Sequence, residues 1–207
     1  MTAKIQKGFD LQMGVHFNDE FHINIYDIEL YFNVETESIT EQNIALDRIK
    51  YYLNDCLEDC VVCYQNKDKA IENYINAGIK VCTLPEEPYD QIIGIMLVSK
   101  LNAITEGKLV ITDISIGSKM SDGVSFQHAL DEDIGPFSEN GWWNESNTKI
   151  NDCKVTGKGK KIVRLTKNSP IISWEDVYLD WEIKKPYIEN FNANEVVFIE
   201  FGSKTDK

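Results

Sequence analysis

Cys56, Cys60 and Cys63 stand in a C-x3-C-x2-C arrangement, and thiolates at that spacing can hold three irons of a four-iron cluster. Such a cluster needs its ligands on a loop that lets three sulfurs converge. Here Cys56 and Cys60 instead continue a stripe formed by Ile49, Tyr52, Leu53 and Leu57, the periodicity of a buried helix face. Cysteine on such a face acts as a small hydrophobe. Zinc fares no better, because Cys60-x2-Cys63 lacks a second close pair and Cys82 and Cys153 stand alone. The expectation is a chain that holds no metal and no cofactor.

Carboxylates are the next chemistry-bearing group. Pro85-Glu86-Glu87-Pro88-Tyr89-Asp90 places three acids at a helix entrance, where they complement the positive end of the helix dipole and Pro88 suits the first helical position. Asp113 sits inside an apolar strand and must face water or find a partner. Gly117 to Gly123 and Gly157 to Lys161 lack the spacing of a phosphate loop, and no nucleophile elbow or Walker sequence is present. Lys158, Lys160, Lys161 and Arg164 form the one positive cluster. The balance favours a non-catalytic protein.

All four tryptophans lie in the C-terminal part, at Trp142, Trp143, Trp174 and Trp181. Trp174 and Trp181 are expected to anchor an irregular lobe. Gly141-Trp142-Trp143, on a glycine-rich loop beside Asp131-Glu132-Asp133, has the composition of a contact surface, since large rigid side chains carry most interface energy. Anchoring is the competing role for that pair as well.

Charge narrows the partners. With 21 basic and 34 acidic residues the net charge is −13, a field that repels nucleic-acid phosphates and anionic lipid. Direct nucleic acid and membrane ligands are therefore disfavoured, and a basic protein partner suits the field. No apolar run is long enough to span a bilayer, and Met1 to Lys7 lacks a signal-peptide core. An odd number of cysteines in apolar settings reads as reduced thiols in the cytoplasm.

The elements follow from periodicity. Phe9 to Phe17 alternates as a half-buried strand, Asn18-Asp19-Glu20 turns, and a second strand begins with Phe21, Ile23 and Ile25 apolar. From Tyr26 the phase flips to Tyr26, Ile28, Leu30, Phe32 and Val34, which predicts a β-bulge near Ile25-Tyr26. Ser38 and Glu41 fit a capping box that starts a helix near Ile39 or Thr40. Asn66 suits the cap of a short helix stopped by Gly78. A short strand over Ile79 to Leu84 follows. The long helix of Ile92, Ile93, Met96, Leu97, Leu101 and Ile104 comes next, stopped by Gly107. Leu109 to Ile116 and Val124 to His128 make a second antiparallel pair around Asp122-Gly123. Residues 131–161 read as an irregular excursion, and further strands are expected over 162–165 and 196–201.

These elements imply an α+β fold. It has a largely antiparallel, mixed sheet with two long helices and one short helix on one face, and an irregular C-terminal segment. One domain over 1–207 is expected, with a core in 1–130 and a lid in 131–207. The order of strand pair, helices, Pro-Glu segment opening a long helix and second strand pair resembles the tunnelling fold of 6-pyruvoyl-tetrahydropterin synthase and its relatives. The resemblance covers about half the chain and implies zinc held by His16 and His22, and a purine or pterin base anchored by Glu86 or Glu87. The family's closely spaced histidine pair is reduced here to the lone His22. Three functional readings result. The preferred one is an acidic cytosolic interaction protein of inhibitor, immunity or assembly type, with Trp142, Trp143, Asp131, Glu132 and Asp133 as its surface. The others are a tunnelling-fold enzyme or base binder, and a subunit that self-associates through a sheet edge into a homo-oligomer.

Overall fold

A tight turn frames the molecule, whose computed structural model describes residues 4–152 together with Trp174, Val177 and Leu179. Asn18 and Asp19 both take left-handed backbone angles, φ 51° and 63°, the conformation that matches a two-residue turn to the twist of its strands. The strands it joins, β1 (Lys4–Phe17) and β2 (Glu20–Val34), pair antiparallel from Phe17 opposite Glu20 to Lys4 opposite Asn33, with no slip in register. The bulge expected near Ile25-Tyr26 is therefore absent. Instead Asn24 shares the buried face with Tyr26, Ile28, Leu30 and Phe32, and Phe21 and Ile23 point outward, 49% and 68% exposed. The slip lies one strand over, in β5 (Leu109–Ser118). Tyr31 faces Asp113 but Phe32 faces Ile111, so Thr112 is the extra residue.

With β3 (Val61–Tyr64), β4 (Val81–Leu84) and β6 (Ser125–Ala129) the sheet has six strands in the order β4-β3-β1-β2-β5-β6. The β1-β3-β4 side is parallel and the β1-β2-β5-β6 side antiparallel. The α+β class with a mixed, largely antiparallel sheet is what the chain adopts. One face is covered by α1 (Ile39–Tyr51), its π-helical continuation Tyr52–Leu57, and α3 (Asp90–Thr105). The short helix α2 (Asp68–Asn76) differs from the expected one-sided layer. It packs with Cys63 and Val81 in a separate cluster, on the opposite face from Val62 and Cys82, as the β3-α2-β4 crossover between parallel strands requires.

The helix ends are partly as expected. Ser38 caps α1 by accepting from the Glu41 amide, while the Glu41 carboxylate turns to the Thr36 hydroxyl instead of closing the box. Asn66 does not cap α2; its amide donates to the Tyr64 hydroxyl and Lys67 takes the cap position. Pro88 lies two residues before α3 rather than at its first position, with Tyr89 as the cap. Gly78 and Gly107, at φ 77° and 74°, end α2 and α3. Asp113 is exposed on the uncovered face. Cys56, Cys60, Cys63 and Cys82 are buried, and burial pushes the Cys56 thiol up to about 12 and Cys82 well above its ordinary value. Cys56 and Cys82 are core residues held as thiols by that burial. Cys153, Lys158, Lys160, Lys161, Arg164, Trp181 and the strands expected over 162–165 and 196–201 lie outside the described residues. Among the described residues no helix is long and apolar enough to cross a membrane.

The stretch after β6 joins the main core. Trp142 and Trp143 are buried in it with Phe137 and Ile150. The Trp142 indole donates to the Thr83 carbonyl at 2.9 Å, and the Trp143 indole lies 3.1 and 3.0 Å from the carbonyls of Phe137 and Glu139. A Cβ on Gly141 would lie 2.4 Å from the Trp143 ring, so only glycine fits there. The segment is held from inside by Lys100 of α3, which is fully buried. Its ammonium donates to the carbonyls of Trp142 at 2.9 Å and Glu145 at 2.6 Å and lies over the rings of Tyr52 and Trp142. A buried charge survives when such partners replace its water.

Burial lowers the Lys100 pKa from 10.5 to about 8. The folded chain thus gives up this proton before the unfolded chain does, so the Lys100 contribution to stability rises with pH between those values. Lys100→Met, which leaves both carbonyls without their donor, is expected to cost about 1–3 kcal/mol. It should also abolish that alkaline rise. Urea denaturation across the pH series, followed by tryptophan fluorescence, measures both.

Candidate functional site

The unbroken β1–β2 ladder has a price at one end of the sheet: the core face of β2 must accept His22 and Asn24 where apolar side chains would otherwise stand. These residues open onto a cavity of about 440 Å³ between the hairpin end, the start of α3 and the β5–β6 turn. Asn24 and Tyr26 of β2, Ser118 at the end of β5 and Asp90 at the start of α3 supply polar groups. Val15, Phe17 and Phe126 supply apolar wall, and Tyr89, Met120 and Val124 form a rim, each more than half exposed.

Part of the polar set is locked. The Asn24 amide donates to the Ser118 hydroxyl at 2.6 Å, and its carbonyl oxygen accepts from the Ile25 amide at 2.9 Å. The Ser118 hydroxyl also accepts from the Met120 amide, and Ser121 Oγ lies 2.8 and 2.7 Å from the carbonyls of Ser118 and Val124. Two further groups stand together, the Tyr26 hydroxyl and the Asp90 carboxyl. The Tyr26 hydroxyl is sealed from solvent and has no hydrogen bond of normal geometry among the described residues. Burial, then the nearby Asp90 charge, raises its pKa. The Asp90 carboxyl is likewise raised by burial, against the opposing pull of the Ser118, Tyr26 and Ser121 hydroxyls. Among the described residues no lysine or arginine lines the cavity.

The surroundings hold this geometry in place. Lys67 reaches Asp19 of the hairpin turn at 3.0 Å and Glu87 of the α3 approach at 3.5 Å, tying the two together. Phe17 and Tyr89 meet edge to face at 5.0 Å. At Gly94 a Cβ would stand 3.1 Å from Ile116 and 3.3 Å from Phe126, so a small residue lets α3 settle closely on β5 and β6.

The residues singled out by sequence are dispersed. His16 and His22 cannot share an ion, because they occupy opposite faces of the hairpin. His16 pairs with the outward Phe21 and bonds the Tyr74 hydroxyl at 2.9 Å, whereas His22 borders the cavity and lies 3.5 Å from Glu20. Glu86 is exposed and Glu87 is engaged by Lys67; neither lines the cavity, where Asp90 stands instead. Trp142 and Trp143 are 0% and 5% exposed, which corrects their assignment to an interaction surface: their indoles serve as anchors. Asp131, Glu132 and Asp133 are exposed apart from that pair, Glu132 accepting from the Ala129 amide and lying 3.2 Å from His128, and Asp133 accepting from the Gly135 amide. Among the described residues no group of three or more His, Cys, Asp or Glu side chains is placed to hold a metal ion. Sequence reasoning missed Asn24, Tyr26, Asp90 and Ser118 as a group. The signal was the phase flip itself, which marks polar side chains on a core face.

No protein-family model matches the chain, and no curated protein matches it. Among solved structures it is similar to the uncharacterized protein WS1659 from Wolinella succinogenes, with 9% identity over 63% of this chain and 99% of that one and a TM-score of 0.48.

A carboxyl raised by burial stabilises the fold while protonated, and that contribution is lost as pH rises through its folded pKa. Relative to the parent, Asp90→Asn is therefore expected to gain in urea midpoint as pH is raised from 3 toward 7 (roughly the carboxylate titration range). A constant difference across that range would show that Asp90 is not strained by its setting.

Proposed function

We propose that the protein is a non-catalytic interaction protein that docks a protein partner on the hairpin end of its sheet, around the mouth of this cavity. The observation that carries the reading is the distribution of exposed apolar side chains. Among the described residues, five of the seven large ones, Phe21, Ile23, Tyr89, Met120 and Val124, gather at this end. Three of them ring the cavity, and Phe21 and Ile23 continue on the reverse face of the same hairpin. A concentration of this kind around a concave site is the usual mark of a contact surface.

Charge supports a basic partner. The net charge is −13, and the sheet face left uncovered beside the hairpin carries Asp10 directly opposite Asp27, with Glu29 and Asp113 nearby in the ladder. Like charges set opposite one another are unfavourable in the free protein, and a basic partner relieves them. Such a field also speeds encounter with a cationic surface. The cytoplasm, with its reducing conditions, is the compartment that suits the buried free thiols of Cys56, Cys60 and Cys82.

A photoreactive benzoylphenylalanine at Val124 is expected to yield one discrete adduct in an extract of the source cells, lost when Tyr89→Asp and Met120→Asp are added. The same probe at Glu72 on α2 should give none. Equal labelling from both positions, or none from Val124, would remove the hairpin end as the docking surface. An adduct of twice the chain mass would identify the partner as a second copy.

A further inference from the structure

We propose that the cavity at the α3 entrance receives one arginine side chain of the partner, its guanidinium set against the Asp90 carboxylate. This rests on the hairpin end being the docking surface, and it adds the chemistry by which that surface chooses. Four observations converge on it. Among the described residues Asp90 is the one carboxylate lining the cavity, and no lysine or arginine of that set lines it. The buried Tyr26 hydroxyl, 0% exposed and without a hydrogen bond of normal geometry among the described residues, lines the same space beside Asp90. The walls are aromatic, with Phe17 and Tyr89 already in contact and Phe126 also lining the space. Finally, the open rim of Met120 and Val124 suits the aliphatic stem of a long side chain.

Other occupants meet these groups less well. An anion attracted by the free amides of the α3 N-terminus would be repelled by Asp90, which stands at that end. A wholly apolar side chain would bury the Asp90 carboxylate with no cation to offset its charge. An ammonium satisfies the charge, but it is a compact point charge. A guanidinium is planar, stacks on ring faces and offers a fork of donors that a carboxylate accepts in pairs. The geometry thus joins a carboxylate, a phenol oxygen and ring faces in a single slot.

The test uses the full-length chain and four probes: N-acetylarginine amide, N-acetylcitrulline amide, N-acetyllysine amide and free agmatine, titrated by amide NMR. The arginine probe is expected to perturb the amides of Tyr26, Asp90 and Ser118, and to bind about tenfold or more tightly than its neutral citrulline isostere. Asp90→Asn should erase that preference while leaving the spectrum of the rest of the chain intact, and Tyr26→Phe should weaken binding by several-fold (roughly one hydrogen bond). Arginine and citrulline binding equally, lysine binding as well as arginine, or an unchanged preference in Asp90→Asn would each overturn the proposal. Agmatine binding about a hundredfold more tightly than the blocked arginine would also overturn it, by making a free small molecule the ligand. The Val124 adduct reports on docking separately. An adduct without arginine selectivity sinks this inference alone, whereas selectivity without an adduct sinks the docking reading.

Discussion

The register of β1 against β2 is the constraint from which the rest of the molecule follows. Each residue pair from Phe17–Glu20 to Lys4–Asn33 is in step, so every side chain of β2 has its face assigned by the turn at Asn18-Asp19. A chain with a bulge at Ile25-Tyr26 would have kept Phe21, Ile23 and Tyr26 on one side and buried them together. Without it, two polar side chains enter the core layer and two apolar ones leave it. A side chain on the wrong face costs free energy, and sequences keep such exchanges where a site is needed. The hairpin end therefore combines an apolar-walled recess holding a few polar groups with an oily exterior, and the misfit in the alternation contributes to both.

Much of this was legible in the residues, and the misses have physical causes. Period-two and helical spacing located the strand pairs and both long helices, because packing against a layer imposes those periods on the side chains that face it. The phase flip was equally visible, but a bulge and an unbroken ladder produce the same pattern in one dimension, and only the partner strand distinguishes them. The real slip at Thr112 left no comparable trace, since Val110, Ile111, Ile114 and Ile116 read as apolar in either phase. In the sequence Asp90 reads as part of a helix entrance, where the dipole alone accounts for it. Its neighbours Tyr26 and Ser118 come from strands far away in the chain, and no local rule joins them.

Lys100 and the tryptophans show a second limit. A lysine within a helical stripe reads as a solvated position, yet here the whole circumference of α3 is enclosed because the segment through Trp142 and Glu145 lies across it. The ammonium is matched by two backbone carbonyls and two rings, groups that carry no recognisable motif. The same enclosure turns Trp142 and Trp143 from apparent surface aromatics into core residues. What looked like a lid beyond residue 130 shares, as far as it is described, the hydrophobic cluster of the strands. Removing one amine would therefore loosen a connection between two parts of the chain more than forty residues apart.

The two margins of the sheet are unequal. On β4 the outward backbone groups of Val81 and Thr83 are engaged: Asn151 donates to the Val81 carbonyl, Thr83 donates to the Ile150 carbonyl, and the Trp142 indole takes the Thr83 carbonyl. On β6 no further strand is paired among the described residues. Stacking of identical chains into a fibre needs a donor margin and an acceptor margin on every copy. With the β4 margin stoppered in this way, a further strand cannot be added on that side of the sheet.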